Sequence, residues 1–375
     1  MPVQLNQPGQ LPSFPLTSPL EEVRERLGED WISSVSDYED RQIVVTVPFP
    51  DTIRLTGDLL NEDLLVPDHS GKSVFAVYQE LDLALLQFVA SFPADPSNGI
   101  EAEKQTKYEL NVLLKDGEEH LGWAALKRRK GKDYGVWSIT LQFSPFKVGS
   151  DRLPILIDRL EDAFCMIDVV KLISRLRVSR CDLAIDMYGL RPFDLVLSMN
   201  GAGKWNAWEN KHHCETLYLY APKAHPKEKP KHGSYKAHGR LLARIYDRSA
   251  HAKSHKLSEP AGGIPVTRFE VPRTWKSYRP RLATLKDVKN MLAGRGAGFA
   301  WPEGLVANER WERIHRARFP DRNKWSELGF PIAEGIKLNQ LYDDFPRDLV
   351  SANAWSRWSH GLSLTGIDKL FQQLV

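Results

Sequence analysis

Residues Arg177 to Tyr188, RVSRCDLAIDMY, alternate so regularly that few folds can hold them. As an extended strand they send Cys181, Leu183, Ile185 and Met187 to one face, and Arg180, Asp182 and Asp186 to the other. The apolar side demands a covering layer, and the acids on the opposite side demand water, cations or hydrogen-bond donors. An edge strand with a wetted outer face would satisfy this pattern. A strand that packs on both sides and uses its acids would satisfy it too. Four residues of strand span about 13 Å, so Asp182 and Asp186 do not reach one ion together, and a further ligand must come from a neighbouring strand.

Other stretches share this division of faces. In Val136 to Phe143, Trp137, Ile139, Leu141 and Phe143 alternate with Val136, Ser138, Thr140 and Gln142. The run RLLARIYDR puts Arg244, Tyr246 and Arg248 on one side. In VTRFEVPR, Phe269 and Val271 oppose Arg268 and Glu270. Further strands are expected at 108–114 and 215–220, with the basic residues Lys127, Arg128, Arg129 and Lys130 in a loop before Val136. Short β-rich runs such as RQIVVTVPF precede them. Helices are expected over 20–35, where Ser18 can cap and Val23, Leu27 and Trp31 share a face, through YQELDLALLQFVASF, and over 153–176. Beyond Tyr278 the pattern turns helical in LATLKDVKNML, NERWERIHRARF and SANAWSRW, with prolines at the joints.

The expected class is α+β: a mostly antiparallel sheet core covered by helices on one face, followed by a helical C-terminal region. Four consecutive sections are expected. They are a flexible arm (1–18), an acidic accessory region (19–105), an α+β core (106–278) and the helical region (279–375).

Charge divides the chain. Residues 1–120 carry 8 Lys and Arg against 22 Asp and Glu, whereas the remainder carries 43 against 26. A basic region of that size suits a polyanion such as nucleic acid. Mutual docking of the acidic and basic parts is the rival reading. No apolar stretch approaches the roughly 18 residues of a membrane-spanning helix, and the N-terminus lacks the pattern of a secretory signal. The three cysteines, Cys165, Cys181 and Cys214, are too scattered for a disulfide framework, so a cytoplasmic protein with no membrane partner is expected.

Acids, arginines and a tyrosine on neighbouring strands suit phosphoryl transfer. A phenol ionises near pH 10, so attack on a phosphodiester needs a metal ion or nearby cations to favour the phenolate. Carboxylates can hold Mg²⁺ or Mn²⁺, and arginines can stabilise charge on the non-bridging oxygens.

Three ordered blocks, SRCDLAIDMYG (179–189), RLLARIYDR (240–248) and VTRFEVPR (266–273), with ETLYLY (215–220) between the first two, carry a resemblance. Over about 100 residues the chain resembles the replication initiation factors of rolling-circle plasmids and filamentous phages, the Rep_trans family. The resemblance implies a protein that binds an origin, nicks one DNA strand and later recloses it. It places the nucleophile on Tyr246, with Arg244 and Arg248 beside it, and a divalent Mg²⁺ or Mn²⁺ environment on Asp182, Asp186 and Glu270. Cleavage would leave a 5′-phosphotyrosyl bond and a free 3′-hydroxyl. Arg248 departs from the family pattern, in which lysine commonly follows the block; a guanidinium still binds phosphate but does not replace a lysine proton donor. Implied partners are origin duplex and single-stranded DNA, with host helicase and polymerase, and a homodimer is compatible. A non-catalytic DNA-binding regulator on the same scaffold is the alternative.

The DNA contacts expected from charge are Lys127, Arg128, Arg129, Lys130, Lys227, Lys229, Lys231, Lys236, Arg240 and Arg268. Several fall in the stretch 221–256, which holds 10 Lys and Arg against Glu228 and Asp247, with Pro222, Pro226 and Pro230 extending its first part. Two glycine-rich stretches carry no nucleotide-binding motif. Gly201-Ala202-Gly203-Lys204 is followed by Trp205 where a hydroxyl should meet magnesium, and Gly294, Gly296 and Gly298 miss the dinucleotide spacing. Surface histidines are the preferred reading of His212, His213, His251 and His255.

Overall fold

The alternating runs at Val136–Phe143 and Arg177–Tyr188 become strands with those bounds. The computed structural model describes residues 18–38, 41–65, 74–103, 107–129, 135–190, 196–199, 204–209, 215–221, 240–248, 252, 264–288, 291–292, 297–300 and 352–368. In chain order the elements are α1 (Pro19–Arg26), β1 (Ile32–Tyr38), β2 (Arg41–Thr46), β3 (Phe49–Asp58), α2 (Val74–Ala90), β4 (Ile100–Ala102), β5 (Leu110–Asp116), β6 (Glu119–Arg129) and β7 (Val136–Phe143). There follow α3 (Pro145–Ala163), α4 (Val169–Arg175), β8 (Arg177–Tyr188), β9 (Val196–Met199), β10 (Lys204–Glu209), β11 (Glu215–Ala221), β12 (Arg240–Asp247), β13 (Val266–Thr274), β14 (Ala297–Ala300) and α5 (Trp358–Leu364). The class is α+β with mostly antiparallel strands.

The chain forms two units with interleaved contributions. The first draws on 1–46, 185–269 and 297–352, and the second on 47–184, 270–296 and 353–375. These units cut across the consecutive sections expected from composition. Both β8 and β13 change unit part-way along their length.

In the first unit β1 and β2 form an antiparallel pair, and β2 runs beside the end of β8, with Val44 opposite Tyr188. On the other side the order is β8, β13, β12, β11, β10, while β9 and β14 pair separately. Helix α1 starts at a reciprocal cap: Ser18 Oγ accepts from the Glu21 N–H, and the Glu21 carboxylate accepts from the Ser18 N–H. The helix stops at Arg26, not near Val35, because Gly28 turns the chain at φ 93°, and a 3-10 turn over Glu29–Trp31 leads into β1. Val23 packs with Val44, Tyr188, Ile264 and Val266.

In the second unit the antiparallel order is β8, β3, β7, β6, β5, β4. Ile53, Leu55, Leu141, Phe143, Ala124 and Leu114 are buried on one side of that sheet, where α3 brings Leu153, Leu156 and Leu160. The basic residues before β7 were expected in a loop, but 119–129 form strand β6. Gly122, Ala124 and Ala125 give this strand too little side chain to show its period. The helix expected over 153–176 is two helices, since the chain leaves helical geometry after Ala163 and Asp168 caps α4 through the Lys171 N–H. Among the described residues of LATLKDVKNML a short 3-10 turn forms, Leu285–Asp287. NERWERIHRARF lies outside the described residues, whereas Ala352–Arg357 forms a 3-10 stretch leading into α5. Among the described residues no helix is long and apolar enough to cross a membrane.

Candidate functional site

Asp186 organises the ionisable face of the first unit. Its side chain is 0% exposed, so an ionised carboxylate there requires donors on both oxygens. Strand β13 supplies Arg268, whose Nε donates to Oδ1 at 2.6 Å and whose Nη2 donates to Oδ2 at 2.7 Å. From just past β12, Arg248 Nη1 donates to Oδ2 at 2.7 Å. The Asp186 main-chain N–H donates to Thr46 Oγ1 at 2.9 Å, which ties β2 to the same point. Burial, the largest influence, pushes the Asp186 pKa up, but the charges and hydrogen bonds of Arg268 and Arg248 outweigh it and hold the carboxyl below its ordinary value.

Two guanidiniums on one carboxylate leave this trio with one net positive charge. Exposure is graded across it: Arg268 is 2% exposed, and the Arg248 side chain 17%. Tyr246 lies two residues before Arg248 and is 8% exposed. Strand alternation puts it on the side of Arg244 and the buried Leu242, opposite Ala243 and Ile245, and Arg248 follows just past the strand. Its backbone pairs with Thr216 of β11, and Arg244 with Tyr218. Tyr188, beyond Asp186 on the same face of β8, has its phenol pushed up to about 12 by burial and by the Asp186 charge. Thr46 and Tyr188 are the members of this face that the sequence reading missed. Thr46 closes an apolar run and has no signal linking it to residue 186, whereas the parity of Tyr188 was readable.

No protein-family model matches the chain, and no curated protein matches it either.

Of the expected metal residues, Asp186 belongs to the first unit, and Asp182 and Glu270 to the second. Asp182 is 1% exposed and takes both Arg180 donors, with Nε at 2.7 Å from Oδ1 and Nη2 on Oδ2. Glu270 is buried. Among the described residues no three His, Cys, Asp or Glu side chains converge as metal ligands would. To bind Mg²⁺ or Mn²⁺, Asp186 would have to exchange charge-assisted hydrogen bonds for a cation beside two arginines. As held here, Asp186 does not fit a divalent ion.

The expected DNA contacts also divide. Arg268 is turned inward onto Asp186, so its guanidinium is a buried counter-ion and not a surface contact. Arg128 donates through Nε to Asp82 Oδ1 at 2.7 Å and through Nη2 to Oδ2, while Trp137 Nε1 donates to the same Oδ1 at 2.7 Å. That network fastens α2 to β6 and β7. Arg129 lies 2.7 Å from Asp58 with both side chains well exposed, and Lys127 is exposed. Arg240 opens β12. Lys130, Lys227, Lys229, Lys231 and Lys236 lie outside the described residues, as do His212, His213, Cys214, His251 and His255.

Proposed function

We propose that the protein is a DNA strand-nicking and strand-transfer initiator of replication, with Tyr246 as nucleophile. The observation that carries this reading is that Tyr246 shares the Arg244 side of β12 and lies two residues before Arg248, whose guanidinium is held by Asp186. Clustered guanidiniums lower the cost of a phenolate and of charge on a phosphodiester. Attack of the Tyr246 oxygen on phosphorus forms the phosphotyrosyl bond and breaks the bond to the 3′ oxygen. The proton lost from the phenol ends on the 3′-hydroxyl, and the reverse step recloses the strand. Asp186 acts by positioning Arg248 and Arg268. Because the carboxylate does not fit a divalent ion as held, no step here passes through a metal.

The burial of Tyr246 favours a second reading, a DNA-binding regulator without catalysis, since a nucleophile must reach phosphorus. Incubating the protein with supercoiled DNA carrying its element's origin separates the two. Nicked circles bearing covalently attached protein, lost in Tyr246→Phe, are the outcome expected of the initiator. DNA binding without any adduct, unchanged by Tyr246→Phe, is the outcome expected of the regulator. Running the reaction with Mg²⁺, with Mn²⁺ and with chelator reads the metal requirement directly; nicking that survives chelation is expected if arginines alone stabilise the transition state.

A further inference from the structure

The second unit carries a different surface. Across its sheet Arg180, Arg54, Gln142 and Trp123 stand in register on adjacent strands β8, β3, β7 and β6, on the side opposite the apolar layer under α3. All four are only partly buried. Arg54 Nε donates to Gln142 Oε1 at 2.8 Å, and its guanidinium lies 5.6 Å from the Trp123 ring centroid. Tyr108 packs against Trp123 at 5.9 Å between centroids. Arg279 extends the row, donating from Nη1 to Thr56 Oγ1 at 3.0 Å, and its neighbour Tyr278 is 83% exposed. Two residues further along β8, the buried Asp182 takes both Arg180 donors, and its charge also reaches Arg54.

A half-open sheet that presents aromatic rings interleaved with arginines has the chemistry of a platform for unpaired nucleotides. Bases stack on the rings in any sequence, and the guanidiniums meet the phosphates. Duplex offers no unstacked base to such rings. Arg54 also gains from an incoming anion, because burial and the repulsion of Arg180 both weigh against its charge. We propose that this face of the second unit binds single-stranded nucleic acid, with bases on Trp123, Tyr108 and Tyr278 and phosphates on Arg54 and Arg279. The proposal is independent of Tyr246 and of any cleavage, since it concerns a surface of the other unit.

The test is fluorescence anisotropy of the full chain with labelled oligothymidine, oligouridine and a duplex of the same length, at low and moderate salt. Trp123→Ala and Arg54→Ala are each expected to weaken single-strand binding about tenfold, and Tyr278→Ala about fivefold, with duplex affinity unchanged. The preferred single strand, deoxyribo or ribo, identifies the natural source. Tyr278 is exposed, so its replacement keeps the test valid if a Trp123 variant fails to fold. Unchanged single-strand affinity in both Arg54→Ala and Tyr278→Ala overturns the proposal. So does a poly-glutamate peptide that displaces oligothymidine as well as unlabelled oligothymidine does, because that result assigns the face to acidic protein partners.

Discussion

The two units differ in how far they leave their arginines open. In the first, the ionisable face closes over Asp186, and its arginines spend their donors on that buried carboxylate. In the second, Arg54 and Trp123 stack on each other at a half-exposed surface, while the buried acid Asp82 works elsewhere, clamping Arg128 and Trp137. The difference teaches that the same residue types serve two ends. Enclosed, they set geometry and hold protonation states; left partly open, they remain able to meet a partner.

The largest break in this comparison is expected at Asp186. Asp186→Ala leaves Arg268 buried without its counter-ion, and urea denaturation should show a loss of about 3–5 kcal/mol. Replacing Asp186, Arg248 and Arg268 together by apolar residues of similar volume should cost far less, and would show that the trio is kept for its chemistry. The Asp186 carboxyl is held below its ordinary value, so its contribution is complete above the unfolded carboxylate pKa of about 3.9. It is lost as pH falls through the lower folded value.

Tyr188 gives the opposite sign. Its folded pKa is about 12 against an ordinary 10, so the stability tied to its neutral phenol is present below pH 10 and lost as pH rises towards 12. A fall of roughly 2–3 kcal/mol attributable to this residue is expected over that window. It should be absent from Tyr188→Phe when urea midpoints are compared across the alkaline range.

In the second unit Asp82→Ala should cost about 1–3 kcal/mol, because the Trp137 N–H and the Arg128 guanidinium lose their acceptor together. A thermal melt of the variant checks this. The smallest effect is expected from Arg129→Ala, whose partner Asp58 is exposed. A change under about 1 kcal/mol by the same melt would mark that pair as marginal.

Alternation made much of this legible. The bounds of β7 and β8 follow from period two alone. Parity says which side a residue faces but not what meets it. Asp186 and Arg268 were thus both singled out, one as a metal ligand and the other as a DNA contact, whereas they are each other's partners across 82 residues. Asp182 and Arg180 needed no such distance: two apart on one strand, their pairing was open to reading. Strand β6 stayed hidden behind its glycine and alanines. The row from Arg180 to Trp123 depends on cross-strand register, which no local pattern contains.

The crossing of the chain between units inside β8 and again inside β13 bears on how the protein is made. Thr46 cannot meet Asp186 until 140 further residues have been synthesised, and Arg268 completes that cluster later still. Contacts of such separation must close long loops before they stabilise the fold, so slow folding is the natural consequence. Neither unit can be excised as one continuous fragment, and a nick within either shared strand should unravel both halves at once.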